Sequence, residues 1–286
     1  MPTIRTVGII SKPGVETAAD VVPQLISWLH GRGIAVRIDE ETAFYCGVAG
    51  IPRKTVPEGC DLVVVLGGDG TLLSAARAIG KREIPLFPVN LGGLGFLTAI
   101  TVDELYPELE RAFCGEHRIA RRKLLTTEVV REGQAVAAYD ALNDAVLAKT
   151  ALARMIDLDA HVDEQFVCAY KADGLIVSTP TGSTAYSLSA GGPIIFPSVP
   201  AICITPICPH MLTNRPVLVP ETSVIRVVSR APDESVYLTI DGQIGAPIRE
   251  GDTLVCRSSS YSLLLIRPPR MMFFDVLRAK LKWGER

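Results

Sequence analysis

Apolar runs of strand length alternate with stretches of helical period through the first part of the chain. Ile4 to Ile10 is a short apolar run of the strand kind. Val21, Val22, Leu25, Ile26 and Leu29 follow at helical spacing. Pro23 is costly in a helix interior, so this helix is predicted to start near Asp20, with the proline in its first turn. Gly31 and Gly33 stop it. Ile34 to Ile38 reads as a second strand. Asp61 to Leu66 reads as a third, nearly all Val and Leu, as in a strand covered on both faces. Thr71 to Ile79 puts Leu72, Ala75, Ala76 and Ile79 on one helical face, and Leu86 to Val89 is a fourth strand.

The texture changes near residue 115. Short alternating runs recur about every ten residues: Thr126 to Arg131, Ala135 to Ala141, Ala145 to Lys149, Ile156 to Val162 and Phe166 to Tyr170. Further runs fall at Val217 to Val219, Val224 to Val228, Val236 to Ile240, Thr253 to Cys256 and Leu263 to Ile266. Phe274 to Lys280 returns to helix. The pattern predicts a Rossmann-like open α/β domain over residues 1–115 and a β-rich, sandwich-like domain over 116–266, with a terminal segment over 267–286.

Composition narrows the classes. Of 286 residues, 48% are hydrophobic and 21% charged, the balance of a globular protein. Lys plus Arg is 29 and Asp plus Glu is 31, a net charge of -2, which excludes a strongly basic nucleic-acid binder. No apolar run reaches membrane-spanning length; Ala201 to Cys208, among the longest, is broken by Thr and Pro. The N-terminus lacks the pattern of a signal peptide. The 7 cysteines are an odd number scattered through apolar runs, as expected of reduced thiols in a cytoplasmic protein. There is no CxxC pair and no HxxxH or HxH spacing among the 4 histidines, so no structural zinc site is expected.

Three loops carry candidate chemistry. Gly67-Gly68-Asp69-Gly70-Thr71 lies between a buried strand and a helix. In one reading the glycines only make a tight turn and Asp69 caps the helix. In the other the glycines admit a phosphate chain to the backbone at a helix N-terminus, and Asp69 acts as a base toward a sugar hydroxyl. Neither GxxxxGK[ST] nor GxGxxG is present. Asn90 to Leu97, NLGGLGFL, is a second glycine loop directly after a strand; it is either a flexible turn with a core Phe96 or a second ligand loop in the same sheet. Asp173 to Gly192 crowds Ser and Thr hydroxyls with glycines and Tyr186 after a strand that ends at Ser178; it reads as a nucleotide loop or a polar loop with a capped helix. A nucleophilic serine is weaker, because Gly182-Ser183-Thr184 lacks the second glycine of an elbow. Asn143-Asp144 is either a ribose-binding pair or a turn.

Taken together, these blocks resemble those of the bacterial NAD kinases, in the family's order and over nearly the whole chain. GGDGT at Gly67 to Thr71, NLGGLGFL at Asn90 to Leu97, the long block from Asp173 to Pro193, ICPHMLTNRP at Ile207 to Pro216 and DGQ at Asp241 to Gln243 carry the likeness. The resemblance implies phosphoryl transfer from ATP, another triphosphate or polyphosphate to the 2′-hydroxyl of the adenosine ribose of NAD. It implies Asp69 as the base and Gly67, Gly68 and Gly70 as the phosphate-side turn. It assigns Phe96, Asn143, Asp144, Arg154, Lys171, Asp173 and Gln243 to ligand binding, with Thr184, Ala185, Tyr186, Ser187, Leu188 and Ser189 as the wrapping loop. Asp144 stands where the family usually has Glu, and Lys171 where it more often has Arg; both departures bear on affinity rather than reaction type. The family also implies a terminal segment returning to the first domain, a homodimer or homotetramer, and Mg²⁺ held largely by the donor phosphates, with no protein metal ligands.

GGDGT alone is shared with lipid kinases of the diacylglycerol type. The modest cluster Arg118, Arg121, Arg122 and Lys123 is the only basic stretch that a membrane-facing lipid kinase would use. A non-catalytic NAD-binding regulator is the third reading, and it requires Asp69 to be incidental.

Overall fold

The computed structural model describes residues 4–150, 154–233, 235–268 and 272–283. The chain divides into two compact units, residues 1–121 with 263–286, and residues 122–262.

The first unit opens with strand β1 (Thr6–Ser11), helix α1 (Glu16–His30), strand β2 (Ala35–Ile38) and the short helix α2 (Glu40–Ala43). Strand β3 (Leu62–Leu66), helix α3 (Asp69–Ile79), strand β4 (Leu86–Asn90), the two-residue β5 (Ile100–Thr101) and helix α4 (Leu105–Phe113) follow. The parallel order is β2-β1-β3-β4. β3 is buried at every position, which explains its unbroken Val and Leu. Helix α1 starts at Glu16, one turn before the expected Asp20, so Pro23 lies inside it. Its buried stripe of Ala18, Val21, Val22, Leu25 and Leu29 includes a residue ahead of Asp20, while Pro23 faces solvent. Packing of that stripe outweighs the backbone bond that the proline removes. The strand order reverses between β1 and β3, the point in such sheets where ligands settle beyond the carboxyl ends of the strands.

The second unit is built from β6 (Arg118–Arg131), whose first residues belong to the first unit, with β7 (Gln134–Ala141), β8 (Asp144–Lys149), β9 (Ile156–Val162), β10 (Gln165–Ala172) and β11 (Gly174–Ser178). The short helix α5 (Tyr186–Ser189) precedes β12 (Ala201–Ile207), β13 (Val217–Pro220), β14 (Ile225–Ser229), β15 (Val236–Ile240), β16 (Ile244–Ile248) and β17 (Thr253–Arg267). One antiparallel sheet runs β13-β12-β11-β8-β15-β16, and β10-β9-β14-β17 form antiparallel neighbours beside it in the sandwich. Leu147, Leu175, Ile204 and Leu238 from the first layer meet Leu158, Val227, Leu254 and Cys256 from the second in one core. Thr253 to Cys256 and Leu263 to Ile266, expected as two strands, are one strand through the serines between them.

The last stretch of β17 belongs to the first unit, where Leu265 pairs in parallel with Leu86 of β4, and helix α6 (Phe273–Leu281) follows. Residues 269–271 and 284–286 of the expected terminal segment lie outside the described residues.

Candidate functional site

In the first unit, buried β3 ends at Leu66 and the chain turns through Gly67 and Gly68 into α3, which begins at Asp69. The Gly67 N–H donates to the Val89 carbonyl at 2.9 Å, which ties this turn to β4. A Cβ on Gly67 would lie 2.8 Å from Cβ of Thr71, so no larger residue fits there. Gly68 faces open space, as a backbone approached by a ligand must.

Asp69 does not cap the helix, which corrects one of its two readings; Gly68 holds the cap position and no side chain caps it. The Asp69 carboxylate turns instead to the loop after β4. Oδ2 accepts from the Phe96 N–H at 2.9 Å. Oδ1 accepts from the Leu97 and Thr98 N–H groups and the Thr98 hydroxyl, each at 3.1 Å. That loop is wound around Asn90, whose amide donates to the Gly93 carbonyl at 2.6 Å and the Thr98 hydroxyl at 3.0 Å, while its Oδ1 accepts from the Gly92 N–H at 2.7 Å. A side chain at Gly95 would collide with the Asp69 carboxylate, its Cβ lying 2.9 Å from Cγ. The two glycine loops therefore form one structure, and the second is no flexible turn. Phe96 is half-buried, with Lys280 Nζ 5.9 Å from its ring centroid. Asp69 carries three donors on one oxygen and one on the other, so Oδ2 keeps a lone pair for a further proton donor.

In the second unit, Asn143 and Asp144 stand at the start of β8, locked from outside. The Asp241 carboxylate accepts from the N–H groups of Leu142 (3.0 Å), Asn143 (2.7 Å) and Asp144 (3.2 Å), and the Asp241 N–H donates to the Asp144 carbonyl at 3.0 Å. Thr179 donates through its hydroxyl to the Leu142 carbonyl at 2.6 Å and through its N–H to the Asn143 carbonyl at 2.9 Å. Asp241 thus does the turn-holding work that one reading gave to Asp144. In the sequence Asp241 shows only as part of the DGQ block.

Asn143, Asp144, Ala185, Tyr186, Thr239 and Asp241 help to line a cavity of about 360 Å³. Asp144 is 4% exposed. Burial, and then the charge of Asp241, push its carboxyl up to about 7. Tyr186 is 46% exposed and so offers its ring to the cavity rather than to the core.

Other expected ligand residues are dispersed. Ser187 is fully buried and shares its hydroxyl with Thr205 at 3.0 Å, so it supports the loop from within rather than facing a ligand. Ser183 is equally buried; it donates to the Pro180 carbonyl at 2.7 Å and accepts from the Ile195 N–H at 2.9 Å, which closes the nucleophile alternative. The Thr184 hydroxyl turns back to the Thr181 carbonyl at 3.3 Å. Leu188 and Ser189 follow on α5 and do not line the cavity. Arg154 and Lys171 share a separate cavity of about 570 Å³ with Asp157 and Ser235. Asp173 stands apart from both cavities, in an ion pair with Lys149 at 2.7 Å. Gln243 is exposed just beyond β15, its N–H on the Ile240 carbonyl at 3.0 Å. Among the described residues no group of three or more His, Cys, Asp or Glu side chains is placed to hold a metal ion.

A glycine turn opening a helix at the switch point of a parallel sheet, with one carboxylate held ready inside it, marks a nucleotide-dependent phosphotransferase. The family model of the ATP-NAD kinase N-terminal domain matches residues 50–117, and that of the ATP-NAD kinase C-terminal domain matches residues 142–268. The NAD kinase of Solibacter usitatus is 79% identical, with 100% of both chains covered. That of Koribacter versatilis is 48% identical over 99% of this chain and 100% of its own. Among solved structures, yeast NADH kinase complexed with NADH superposes with a TM-score of 0.90 at 27% identity, covering 100% of this chain and 90% of that one. The chain belongs to the ATP-NAD kinase family. The lipid-kinase reading left open by GGDGT alone falls away with this.

Proposed function

We propose that the chain transfers the terminal phosphoryl group of ATP, or of another triphosphate or polyphosphate, to the 2′-hydroxyl of the adenosine ribose of NAD, giving NADP. The observation that carries this reading is the lone Asp69 carboxylate within the glycine turn, with Oδ2 bearing a single backbone donor. In this reading Oδ2 accepts the proton of the attacking hydroxyl, and Gly67, Gly68 and Gly70 present the helix N-terminus to the donor phosphates. Asn143 and Asp144 hold the ribose, and Tyr186 packs an aromatic face on a ring of the dinucleotide. Arg154 and Lys171 offer positive charge to its phosphates. Phosphoryl transfer asks little covalent work of the protein, so positioning and charge dominate. A divalent cation, Mg²⁺ by preference, would be held by the donor phosphates and would offset their charge; the lone carboxylate of Asp69 is no cage of its own for it.

The reading also puts the enzyme in the cytoplasm as a homodimer or homotetramer. Seven free cysteines agree with a reducing compartment, and no described helix is long and apolar enough to cross a membrane. Exposed Met211, Leu212 and Leu218 offer apolar surface for self-association.

The deciding experiment mixes the purified chain with NAD, ATP and Mg²⁺ and follows NADP formation. Asp69→Asn is expected to lower turnover roughly 10²-fold or more while NAD affinity stays within about tenfold. Turnover of that variant within about a factor of three of wild type sinks the role given to Asp69.

A further inference from the structure

Arg267 is the last residue of β17 and is 6% exposed, an unusual place for a guanidinium. The strand delivers it there. Its closing stretch runs parallel to β4, so it finishes at the same carboxyl end of the sheet as the loop that leaves β4. One guanidinium nitrogen of Arg267 donates to two successive carbonyls of that loop, Phe96 at 3.3 Å and Leu97 at 3.1 Å. The N–H groups of the same stretch, at Phe96, Leu97 and Thr98, point the other way, onto the Asp69 carboxylate. A cation, a pair of peptides and a carboxylate thus form one relay. Burying a cation beside Arg118 is unfavourable, and both effects pull the Arg267 guanidinium down from its ordinary range, while Asp69 opposes them. A buried charge held against that cost, and aimed at the peptides that grip the one carboxylate of the glycine turn, is better explained by the carboxylate than by the fold.

We propose that Arg267 is a positioning residue for Asp69: through the 96–98 peptides it fixes the direction of Oδ2 toward the reacting hydroxyl. The proposal rests on Asp69 being the base. Its action is indirect, so loss of Arg267 loosens the carboxylate without touching NAD. A misplacement of a fraction of an ångström at the reacting group is costly in rate.

Arg267→Met keeps an unbranched apolar stem and removes the charge and the donors. It is expected to lower kcat about tenfold or more, with the KM for NAD within about threefold of wild type. Arg267→Lys, which keeps the charge and N–H donors on a flexible stem, is expected to restore kcat to within about threefold. In an Asp69→Asn background, Arg267→Met should cost less than about twofold more, because the group it positions is gone. Multiplicative losses in that double variant, or a kcat for Arg267→Met within about twofold of wild type, overturn the proposal. If Arg267→Met does not fold, Arg267→Gln takes its place in the same cycle and under the same criteria. Failure of the base reading is told apart by Asp69→Asn alone: unchanged turnover there removes the base, whereas a slow Asp69→Asn with a fast Arg267→Met removes only the relay.

Discussion

Asp144 is the residue whose chemistry and stability pull in opposite directions. Its carboxyl, ordinarily near 3.8, is pushed up to about 7 by burial and by Asp241. The folded state therefore holds this proton more tightly than the unfolded chain. The stability it contributes is full below about pH 4 and is lost as pH rises toward 7, an effect on the order of 4 kcal/mol. Asp144→Asn should accordingly melt above wild type at pH 8, and the gap should close by about pH 4 in melting curves run across that range. A carboxylate that only held a turn would predict the reverse, and that task already belongs to Asp241. For function, Asp144→Ala is expected to raise the KM for NAD about 10- to 100-fold, the scale of losing a charged hydrogen bond to a ribose hydroxyl. Asp144→Glu should retain binding. NAD kinetics of the Ala variant equal to wild type would take Asp144 out of the site. Such a residue, costly to the fold and retained in a cavity, is the ordinary trade of stability for binding.

Among the elements, α1 shows where sequence and structure part. Pro23 breaks its backbone ladder on a solvent-facing position of a helix that runs from Glu16 to His30. Pro23→Ala returns an N–H donor to the Ala19 carbonyl, so it should stabilise the protein by about 1–3 kcal/mol, read as a higher melting temperature. A lower melting temperature would mean that the ring itself packs usefully. The strands Ile156–Val162 and Val236–Ile240 were legible to the residue, because both alternate buried and exposed positions cleanly. β17 was not, because Ser258, Ser259 and Ser260 look like a turn to any local reading, and only pairing with neighbouring strands carries the chain straight through them. Helix α4 is short and leaves no clear signal, and β12 shows only as a plain apolar run whose period does not mark it as a strand. Among the candidate residues, Asp69 stood out by its company of glycines, whereas Asn143-Asp144 read equally well as a turn. The grip on Asp69 was invisible, since backbone N–H groups leave no trace in residue type. Arg267 was hidden for a different reason: it lies 170 residues from the Leu97 carbonyl that it holds.

For the whole molecule, ligand and stability are linked through mass action. NAD at about 100 times its dissociation constant stabilises a protein that binds it only when folded by roughly 2.7 kcal/mol, an upward shift of several degrees in melting. Wild type and Asp69→Asn should both show this shift, because the proposed role of Asp69 is in the reaction and not in NAD binding. Tyr186→Ala should lose most of it while melting close to wild type without ligand, since an exposed side chain contributes little to the core. A full shift in Tyr186→Ala would remove the tyrosine from the binding surface. The layout of the two units has a further consequence, in the order of synthesis. Residues 122–262 form the second unit in one unbroken stretch, whereas the first unit waits for residues 263–286. At about 5–20 residues per second, a ribosome takes roughly 7–30 s to pass from one part of the first unit to the other. Through that interval the glycine turn and its carboxylate already exist, but the arginine that steadies them has not been made. A nascent or prematurely ended chain therefore carries Asp69 without its brace, and only the finished polypeptide has both.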